Sequence, residues 1–317
     1  MTQVADIMDC PMDNAEQNVA ALAELVSRET VIRAHEPLAK RTTLRVGGPA
    51  DVYVEPASEA DLAAVLILCG ERELPFFVLG RGSNLLVRDG GFRGVVICLA
   101  QPFFSRIEIS GGRLICGAGA KLKIVAVEAK RNGLAGLEFL EGIPGSVGGA
   151  LRMNAGAMGN ETFNVVECIR FMSFDGNIHE RSAKEMAAAY RSCALLKTHI
   201  ALSATFKGHA ASRTEIEQRM KVFSEKRWES QPAAPSAGCM FKNPAAIPAG
   251  KLIDELGLKG LRVGGAMVSA EHGNFLVNEG NATSRDVLEL IETVRQRVKA
   301  GRGIELHTEV EILGEDN

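Results

Sequence analysis

Four glycine-rich segments, all before residue 160, constrain the fold of this chain more than any other feature. They are GRGSN (80–84), GAG (117–119), GIPGSVGG (142–149) and NAG (154–156). Glycine lets backbone N–H groups turn inward and meet phosphate oxygens without a Cβ in the way. Any one segment is more readily explained as a turn, because glycine is the commonest turn residue. Four together favour a bound cofactor that carries a diphosphate.

The usual nucleotide-binding motifs do not account for these loops. GRGSNL begins like the GxGxxG fingerprint but has Leu85 where the third glycine belongs, and GAGAKL has Leu122 there. The Rossmann fingerprint is therefore missing. No GxxxxGK[ST] segment occurs, so the chain has no P-loop.

Composition and charge exclude several classes of protein. The 317 residues are 46% hydrophobic and 24% charged, a globular balance, and this length predicts two or three packed units. The net charge of −3 gives no basic surface for a nucleic-acid partner. The longest uncharged runs have twelve residues, fewer than the roughly 18 that a membrane helix needs. The acidic N-terminal segment lacks the apolar core of a signal peptide.

Cysteine usage indicates a reducing compartment. The seven cysteines are scattered with no CxxC pair, which is typical neither of a disulfide framework nor of a zinc site. We therefore expect no metal and a cytoplasmic location.

Hydrophobic periodicity favours an α+β fold, because predicted helices and strands are mixed without strict alternation. Helices are predicted at 14–30, 58–72, 122–133, 214–230 and 284–301. Ser58 with Asp61 three residues later resembles a capping box that opens the second, and Ser284 is expected to cap the last. Strands are predicted at 76–80, 94–99, 113–119, 163–174, 199–208 and 304–313, with a strand–turn–strand over 41–56. The small polar segment 209–213 predicts a boundary between a domain at 1–212, with a helical lead-in at 1–37, and a domain at 213–317.

Three clusters in the second half carry reactive side chains. Tyr190 to Cys193 combines a phenol, a guanidinium and a thiol, and PSAGCMFKNP (235–244) holds Cys239 after a glycine and between two prolines. Glu309 lies in the alternating segment near the C-terminus. Taken singly, a surface ion pair, a buried thiol and the solvent face of a strand are simpler explanations than catalysis.

Six segments, taken in order, resemble one family. They are GRGSNLLVRDGG (80–91), GLEFLEGIPGSVGGALRMNAGA (136–157), YR (190–191), PSAGCMFKNP (235–244), AGKLIDELGLKGLRVGGAMVS (249–269) and LHTEVEILG (306–314). Together they are similar to the UDP-N-acetylenolpyruvoylglucosamine reductase family, also called UDP-N-acetylmuramate dehydrogenase, over about residues 38–314. Several long motifs in the right order are far more specific than one glycine pattern.

The resemblance implies an FAD-binding domain of the vanillyl-alcohol-oxidase type, followed by a smaller α+β substrate-binding domain. It also implies two half-reactions. NADPH gives hydride to FAD, and the reduced flavin then passes hydride to the vinyl carbon of UDP-N-acetylglucosamine enolpyruvate. The product would be UDP-N-acetylmuramate, a precursor of peptidoglycan. No histidine lies between His35 and His179, which excludes a histidyl link from that stretch and predicts non-covalent FAD.

The resemblance also implies roles for individual residues. Arg191 and Glu309 match residues that stabilise the intermediate, and an arginine suits a carboxylate because it binds bidentately. The family usually has a serine as proton donor where this chain has Cys239. A neutral thiol keeps that role, since its ordinary pKa is near 8.5. Cys193 is a second departure from serine, which puts a hydrogen bond near Arg191 in doubt.

The binding residues follow by the same matching. Those expected to bind the cofactor are Arg81, Gly82, Ser83, Asn84, Leu85, Gly117, Gly119, Gly142, Ile143, Pro144, Gly145, Ser146, Gly148, Gly149, Asn154, Ala155 and Gly156. Those expected to bind the substrate are Tyr190, Arg227, Lys242, Asn243 and His272. The chain lacks the inserted tyrosine loop of one subgroup, which leaves open what closes over the UDP.

Two alternatives stay open. One is another FAD-dependent oxidoreductase of the same fold, and the other is an inactive protein that binds flavin or a nucleotide sugar. The cysteine at 239 is the only feature that points to the second.

Overall fold

Helices and strands are interleaved through residues 13–316, the part of the chain that this computed structural model describes. The α-helices are α1 (Asn14–Leu25), α2 (Glu59–Glu71), α3 (Pro102–Ser105), α4 (Leu122–Arg131), α5 (Val147–Met153), α6 (Arg213–Ser230), α7 (Ala249–Glu255) and α8 (Ser284–Arg302). Short 3-10 helices occupy Leu38–Arg41, Glu138–Gly142, Thr162–Asn164, Ala183–Met186 and Leu195–Lys197.

The strands are mostly short. In chain order they are β1 (Val31–Pro37), β2 (Pro49–Glu55), β3 (Phe76–Leu79), β4 (Leu85–Val87), β5 (Phe92–Cys98), β6 (Ile107–Ser110), β7 (Arg113–Gly117), β8 (Leu134–Ala135), β9 (Gly156–Ala157), β10 (Asn160–Glu161), β11 (Val166–Ser173), β12 (Ile178–Ser182), β13 (His199–Lys207), β14 (His209–Ala210), β15 (Ser236–Cys239), β16 (Arg262–Val263), β17 (Ala266–Val268), β18 (Phe275–Asn278) and β19 (Glu311–Leu313).

Three larger sheets organise these strands. The first has the order β1-β2-β5-β3, with β5 parallel to both β2 and β3. The second has the order β12-β11-β13-β7-β6 and is antiparallel throughout. The third, β15-β18-β17-β16, is also antiparallel. Strand β19 returns to pair with β4 in parallel, which ties the C-terminal segment to the GRGSN loop.

Three buried clusters form the core. One joins the first two sheets and helices α2 and α4, and a smaller one packs between β2, β3, β4 and β5. The remaining cluster gathers buried residues of α7 and α8 against β17 and β18. Helix α8 buries Val287, Leu290, Ile291, Val294 and Val298 at helical spacing, which explains why this charged segment docks on one face. The α+β class is confirmed.

Most predicted helices are confirmed. Helix α2 begins after Ser58, whose side chain accepts the N–H of Asp61 as the capping pattern predicted. Helix α6 begins after Ser212 with a full capping box. For α8 the cap is Thr283, one residue before the predicted Ser284.

Three predictions need correction. The lead-in at 1–37 is not helical throughout: α1 ends at Leu25, and β1 pairs with β2; residues 1–12 lie outside the described part. In 41–56 only β2 is a strand, because the chain before it turns at Gly47 (φ 114°), packed on Val87. The predicted strand 304–313 is a strand only at β19, since residues 307–309 bond to segment 240–242 instead.

The division at 212/213 stays a prediction. Helix α6 buries Ile216 and Met220 in the first cluster, whereas the next buried apolar residue, Ala237, belongs to the α7–α8 cluster.

Candidate active site

A cavity of about 620 Å³ is lined by residues of both the first and the second sheet. Strands β3 and β13 and the loops at 80–81 and 118–121 contribute to its walls. Apolar side chains such as Phe76, Phe77, Val78, Ile107 and Ile124 form part of the lining. These flat and branched groups suit aromatic ring systems.

The polar part of the lining is cationic. Six lining residues carry a positive charge, namely Lys40, Arg41, Arg81, Lys121, Arg152 and Lys197, and none of the lining residues described is Asp or Glu. Such a charge distribution favours an anionic ligand. A cavity that combines apolar walls with several cations fits a dinucleotide with ring systems and a diphosphate, as FAD has.

Five of the seventeen residues predicted to bind the cofactor line this cavity: Arg81, Gly119, Ser146, Gly148 and Gly149. The other twelve, which do not line it, are Gly82, Ser83, Asn84, Leu85, Gly117, Gly142, Ile143, Pro144, Gly145, Asn154, Ala155 and Gly156.

The glycines at and near the cavity differ in whether there is room for a side chain. A Cβ on Gly119 would lie 1.7 Å from the Leu99 carbonyl oxygen, and one on Gly117 would lie 2.1 Å from that of Phe104. Those two glycines allow the backbone to pack against itself. A Cβ on Gly149 would meet nothing nearer than Ser146 Oγ at 3.7 Å, so this position is open.

The three residues predicted to be catalytic come together. Arg191 Nε donates to Glu309 Oε1 at 2.8 Å, and these side chains are only 22% and 11% exposed. Burial, and after it the Glu309 carboxylate, raises the pKa of the Cys239 thiol to about 11, while Arg191 and the Asn274 side chain act in the opposite direction. The thiol, the guanidinium and the carboxylate therefore form one electrostatic group.

A strained turn presents Arg191. Its backbone has φ 52°, in the left-handed region, which costs a non-glycine residue about 1 kcal/mol. The turn is held by Asn154, whose Nδ2 donates to the Ala189 carbonyl at 3.2 Å and to Glu161 at 2.7 Å. The Asn154 side chain, predicted to bind the cofactor, thus positions the arginine turn.

Glu309 is fixed through its backbone. Its N–H donates to the Met240 carbonyl at 2.8 Å, and its own carbonyl accepts from Asn84 Nδ2 at 3.1 Å. Asn84, also predicted to bind the cofactor, therefore links the GRGSN loop to the segment that carries Glu309.

The group formed by Arg191, Glu309 and Cys239 lies beside the cavity. Thr43, which lines the cavity, donates through Oγ1 to the carbonyls of Ser236 (2.6 Å) and Gly82 (3.2 Å). Arg152, another lining residue, forms a forked pair with Glu311 at 2.5 and 2.9 Å, two positions beyond Glu309. The loop before Cys239 and the segment that carries Glu309 are thus both tied to the cavity wall.

Comparison with known proteins identifies the family. Residues 231–313 match the family model described as the C-terminal domain of UDP-N-acetylenolpyruvoylglucosamine reductase, and residues 50–182 match an FAD-binding domain. A Clostridium botulinum UDP-N-acetylenolpyruvoylglucosamine reductase is 41% identical over 308 residues, 96% of this chain and 100% of that protein. The chain belongs to this reductase family. A Clostridioides difficile member is 43% identical over 297 residues, 93% of this chain and 97% of its own.

The crystal structure of the Thermus caldophilus reductase agrees with this membership. It is 40% identical, superposes with a TM-score of 0.78, and covers 90% of this chain and 99% of its own. The protein is thus an FAD-dependent oxidoreductase with an FAD-binding domain. Within residues 13–316 no helix is long and apolar enough to cross a membrane. The same residues contain no cluster of three or more His, Cys, Asp or Glu that could hold a metal ion.

Residues that the reductase resemblance assigns to the substrate fall into two groups. Tyr190 is 52% exposed, with its ring 5.0 Å from the Arg191 guanidinium carbon, and Lys242 is exposed. Arg227 is half-buried on α6, where its guanidinium lies over the Trp228 ring and burial lowers its pKa. The phenol of Tyr190 and the two cations of Lys242 and Arg227 are thus groups that a ligand can reach.

The other two have structural partners. Asn243 Oδ1 accepts the N–H of Ala249 at 3.0 Å and so caps α7. His272 Nδ1 accepts the N–H of Asn274 at 3.1 Å, and burial lowers the pKa of this histidine. The Cys193 thiol is buried and donates to the Met186 carbonyl rather than bonding near Arg191.

Several site residues were missed from the sequence. Lys40 and Arg41 precede the first glycine loop, and Lys121 and Arg152 lie inside or beside the motifs. An arginine within the otherwise apolar VGGALRM helix was a signal for Arg152. No pattern marked Asn274, because its role depends on a strand pairing distant in sequence.

Proposed function

We propose that this protein reduces UDP-N-acetylglucosamine enolpyruvate to UDP-N-acetylmuramate, using NADPH and non-covalent FAD. One observation carries the proposal: Arg191, Glu309 and Cys239 form one half-buried group beside a cation-lined cavity. Membership of the reductase family supports this substrate and a place in peptidoglycan synthesis. We also propose that the protein acts in the cytoplasm on small molecules, without a nucleic-acid partner.

The cavity residues would hold FAD. Arg81, Ser146 and the backbone of Gly148 and Gly149 would face its diphosphate, and the apolar walls its rings. FAD supplies a site that accepts hydride from NADPH and returns it to the substrate. The loops at 82–85, 142–145 and 154–156, together with Gly117, stay proposed as support for this cradle.

Arg191 would bind the substrate carboxylate. Its Nε is engaged by Glu309, so a ligand carboxylate would meet the Nη groups. Hydride addition to the vinyl carbon leaves negative charge on the adjacent carbon and its carboxylate. A guanidinium stays protonated at any physiological pH and stabilises that charge as it develops.

Cys239 would deliver the proton. Because its pKa is raised to about 11, the thiol keeps its proton at neutral pH, as a donor must. In the step itself the S–H bond breaks and a C–H bond forms on the carbon that carries the negative charge. Glu309 disfavours the thiolate left behind, which promotes its reprotonation from water.

The substrate diphosphate would meet Tyr190, Lys242 and Arg227. These residues supply a phenol and two cations that suit phosphate oxygens. Asn243 and His272 would contribute by holding their loops in place, through the cap of α7 and the bond to Asn274.

Single-turnover kinetics of Cys239 variants tests the proposal. Reduction of the flavin by NADPH should be unchanged in Cys239→Ala, whereas its reoxidation by UDP-N-acetylglucosamine enolpyruvate should slow by about 100-fold or more, the usual contribution of a general acid. Cys239→Ser should retain most of the rate, and Cys69→Ala, at a buried thiol of α2, serves as the matched control. Reoxidation of Cys239→Ala at the parental rate would remove the proposed donor.

A further inference from the structure

Asn274 is a buried polar residue to which the proposed reaction gives no role. It is 2% exposed and directly precedes β18, the strand that pairs with β15 and so with Cys239. Its Oδ1 accepts the N–H of Phe241 at 2.9 Å, and its Nδ2 donates to the Phe241 carbonyl at 2.8 Å. Its own carbonyl accepts the N–H of Met240 at 2.7 Å. One residue thus fixes the two that follow Cys239.

The same short segment also fixes Glu309. The Met240 carbonyl accepts the Glu309 N–H at 2.8 Å, so Met240 is bonded to Asn274 on one side and to Glu309 on the other. Both Met240 and Phe241 are buried, at 0% and 1% exposure. Unpaired backbone groups at such positions are costly, so the segment would shift if the Asn274 amide were lost. A shift there changes the position of Cys239 relative to Glu309.

The Asn274 side-chain amide has a second N–H group that can donate a hydrogen bond. Nδ2 carries two protons, and the Phe241 carbonyl accepts one of them. Asn274 directly precedes Phe275, the strand partner of Cys239, and its side chain lowers the pKa of the Cys239 thiol against the effect of burial. The charged groups that act on this sulfur are the Glu309 carboxylate and the Arg191 guanidinium. Asn274 is therefore a neutral donor within the catalytic group.

We infer that Asn274 is a positioning residue for proton transfer: it holds Cys239 against Glu309 and donates a hydrogen bond to the thiolate that the transfer leaves. The inference rests on the proposed role of Cys239. The proton leaves sulfur for the substrate carbon, the negative charge passes to sulfur, and water then restores the S–H bond. Hydrogen bonds to charged groups are the stronger ones, so the Asn274 contribution is greatest when the sulfur is negative.

Two variants of Asn274 test its two contributions, which are to hold the Cys239 loop in place and to donate a hydrogen bond to the thiolate. Asn274→Ala removes the whole clamp, whereas Asn274→Asp keeps an acceptor for the Phe241 N–H and loses the donors. The matched control is Asn278→Ala on the same strand, since the Asn278 side chain bonds only the backbone of Leu44, Gly280 and Ala282. Its bond to the donor loop runs from its backbone N–H to the Pro235 carbonyl, which alanine keeps. Both Asn274 variants should slow flavin reoxidation by the enolpyruvyl substrate about tenfold or more. Reduction by NADPH should change less than about twofold, and Asn278→Ala should alter neither rate.

Alkylation of Cys239 gives a second readout. The rate of its reaction with iodoacetamide, followed against pH by peptide mapping of the holoenzyme, reports the thiol pKa. In both Asn274 variants this pKa should rise, so alkylation at pH 8 to 9 should be slower. A residue that merely stabilised the loop would, on removal, expose the thiol and speed alkylation, and that result would overturn the inference.

The two readouts also separate the inference from the proposed function. Should Asn274→Ala not fold, Asn274→Asp carries both measurements, because it keeps the bond to Phe241. Parental reoxidation by Cys239→Ala defeats the proposed donor, whereas an unchanged Cys239 alkylation profile in the Asn274 variants defeats the inference alone.

Discussion

The two members of the Arg191–Glu309 pair should shift the pKa of the Cys239 thiol in opposite directions. Glu309→Gln removes a negative charge beside the sulfur and should lower the thiol pKa, whereas Arg191→Ala removes a positive charge and should raise it. At a pKa of about 11, roughly 0.1% of the thiol is ionised at pH 8. A nearby charge shifts a pKa by about one pH unit or more, so the thiolate fraction should change about tenfold in each direction.

The same two variants should also change the free energy of unfolding. Arg191→Ala leaves the Glu309 carboxylate, 11% exposed, without its 2.8 Å partner. Breaking a fully buried pair costs about 3–5 kcal/mol, and the 22% exposure of Arg191 reduces this to about 2 kcal/mol. Denaturant unfolding of the apoprotein measures this loss. Glu309→Gln keeps an acceptor for Arg191 Nε and should cost less.

Iodoacetamide alkylation followed by peptide mapping measures the thiol effect. Cys168 is the internal standard, because its thiol donates to Glu180 in the second sheet and neither Arg191 nor Glu309 acts on its pKa. Relative to Cys168, Cys239 should react faster in Glu309→Gln and slower in Arg191→Ala. Changes of the same sign in both variants would show that local loosening, not charge, governs the thiol.

Two further predictions concern the cavity and the α7 cap. Gly149→Leu should abolish flavin retention, read as the flavin-to-protein absorbance ratio, while the apoprotein stays folded, because this position is open to the cavity and leucine favours helix. Gly119→Ala, with its Cβ 1.7 Å from a carbonyl, should instead prevent folding. Equal behaviour of the two variants would contradict the assignment of Gly149 to the wall of the flavin cavity. Asn243→Ala should lower the free energy of unfolding by about 1 kcal/mol through loss of the cap on α7, whereas Lys242→Ala should leave it unchanged. If Asn243→Ala instead keeps its stability and shows a large rise in substrate KM, Asn243 contacts the substrate directly.

Sequence patterns predicted the helices and strands that are fixed by contacts between residues close in sequence. The capping residue at Ser58 and the periodicity of α8 are readable because partners lie three or four residues apart. The segment 304–310 alternates like a strand but is not one, since its N–H and C=O groups bond to segment 240–242. No local pattern distinguishes those two outcomes.

The resemblance marked Arg191, Cys239 and Glu309 as catalytic candidates, and the structure brings them together. The residues that hold them in place carry no such mark in the sequence. Asn84 and Asn154 were assigned to the cofactor from their glycine-rich context, yet their side chains hold Glu309 and the Arg191 turn. Asn274 acts through contacts 33 residues away, which a single sequence does not reveal.

An anaerobic spectral titration tests the central claim most directly. The purified holoenzyme is followed in the visible range while NADPH and then UDP-N-acetylglucosamine enolpyruvate are added. The account predicts a yellow protein that bleaches with NADPH and regains its colour with one equivalent of the enolpyruvyl substrate, and whose flavin is released by acid. A protein that bleaches but stays bleached would contradict the proposed substrate, and flavin that remained attached after acid would contradict non-covalent binding.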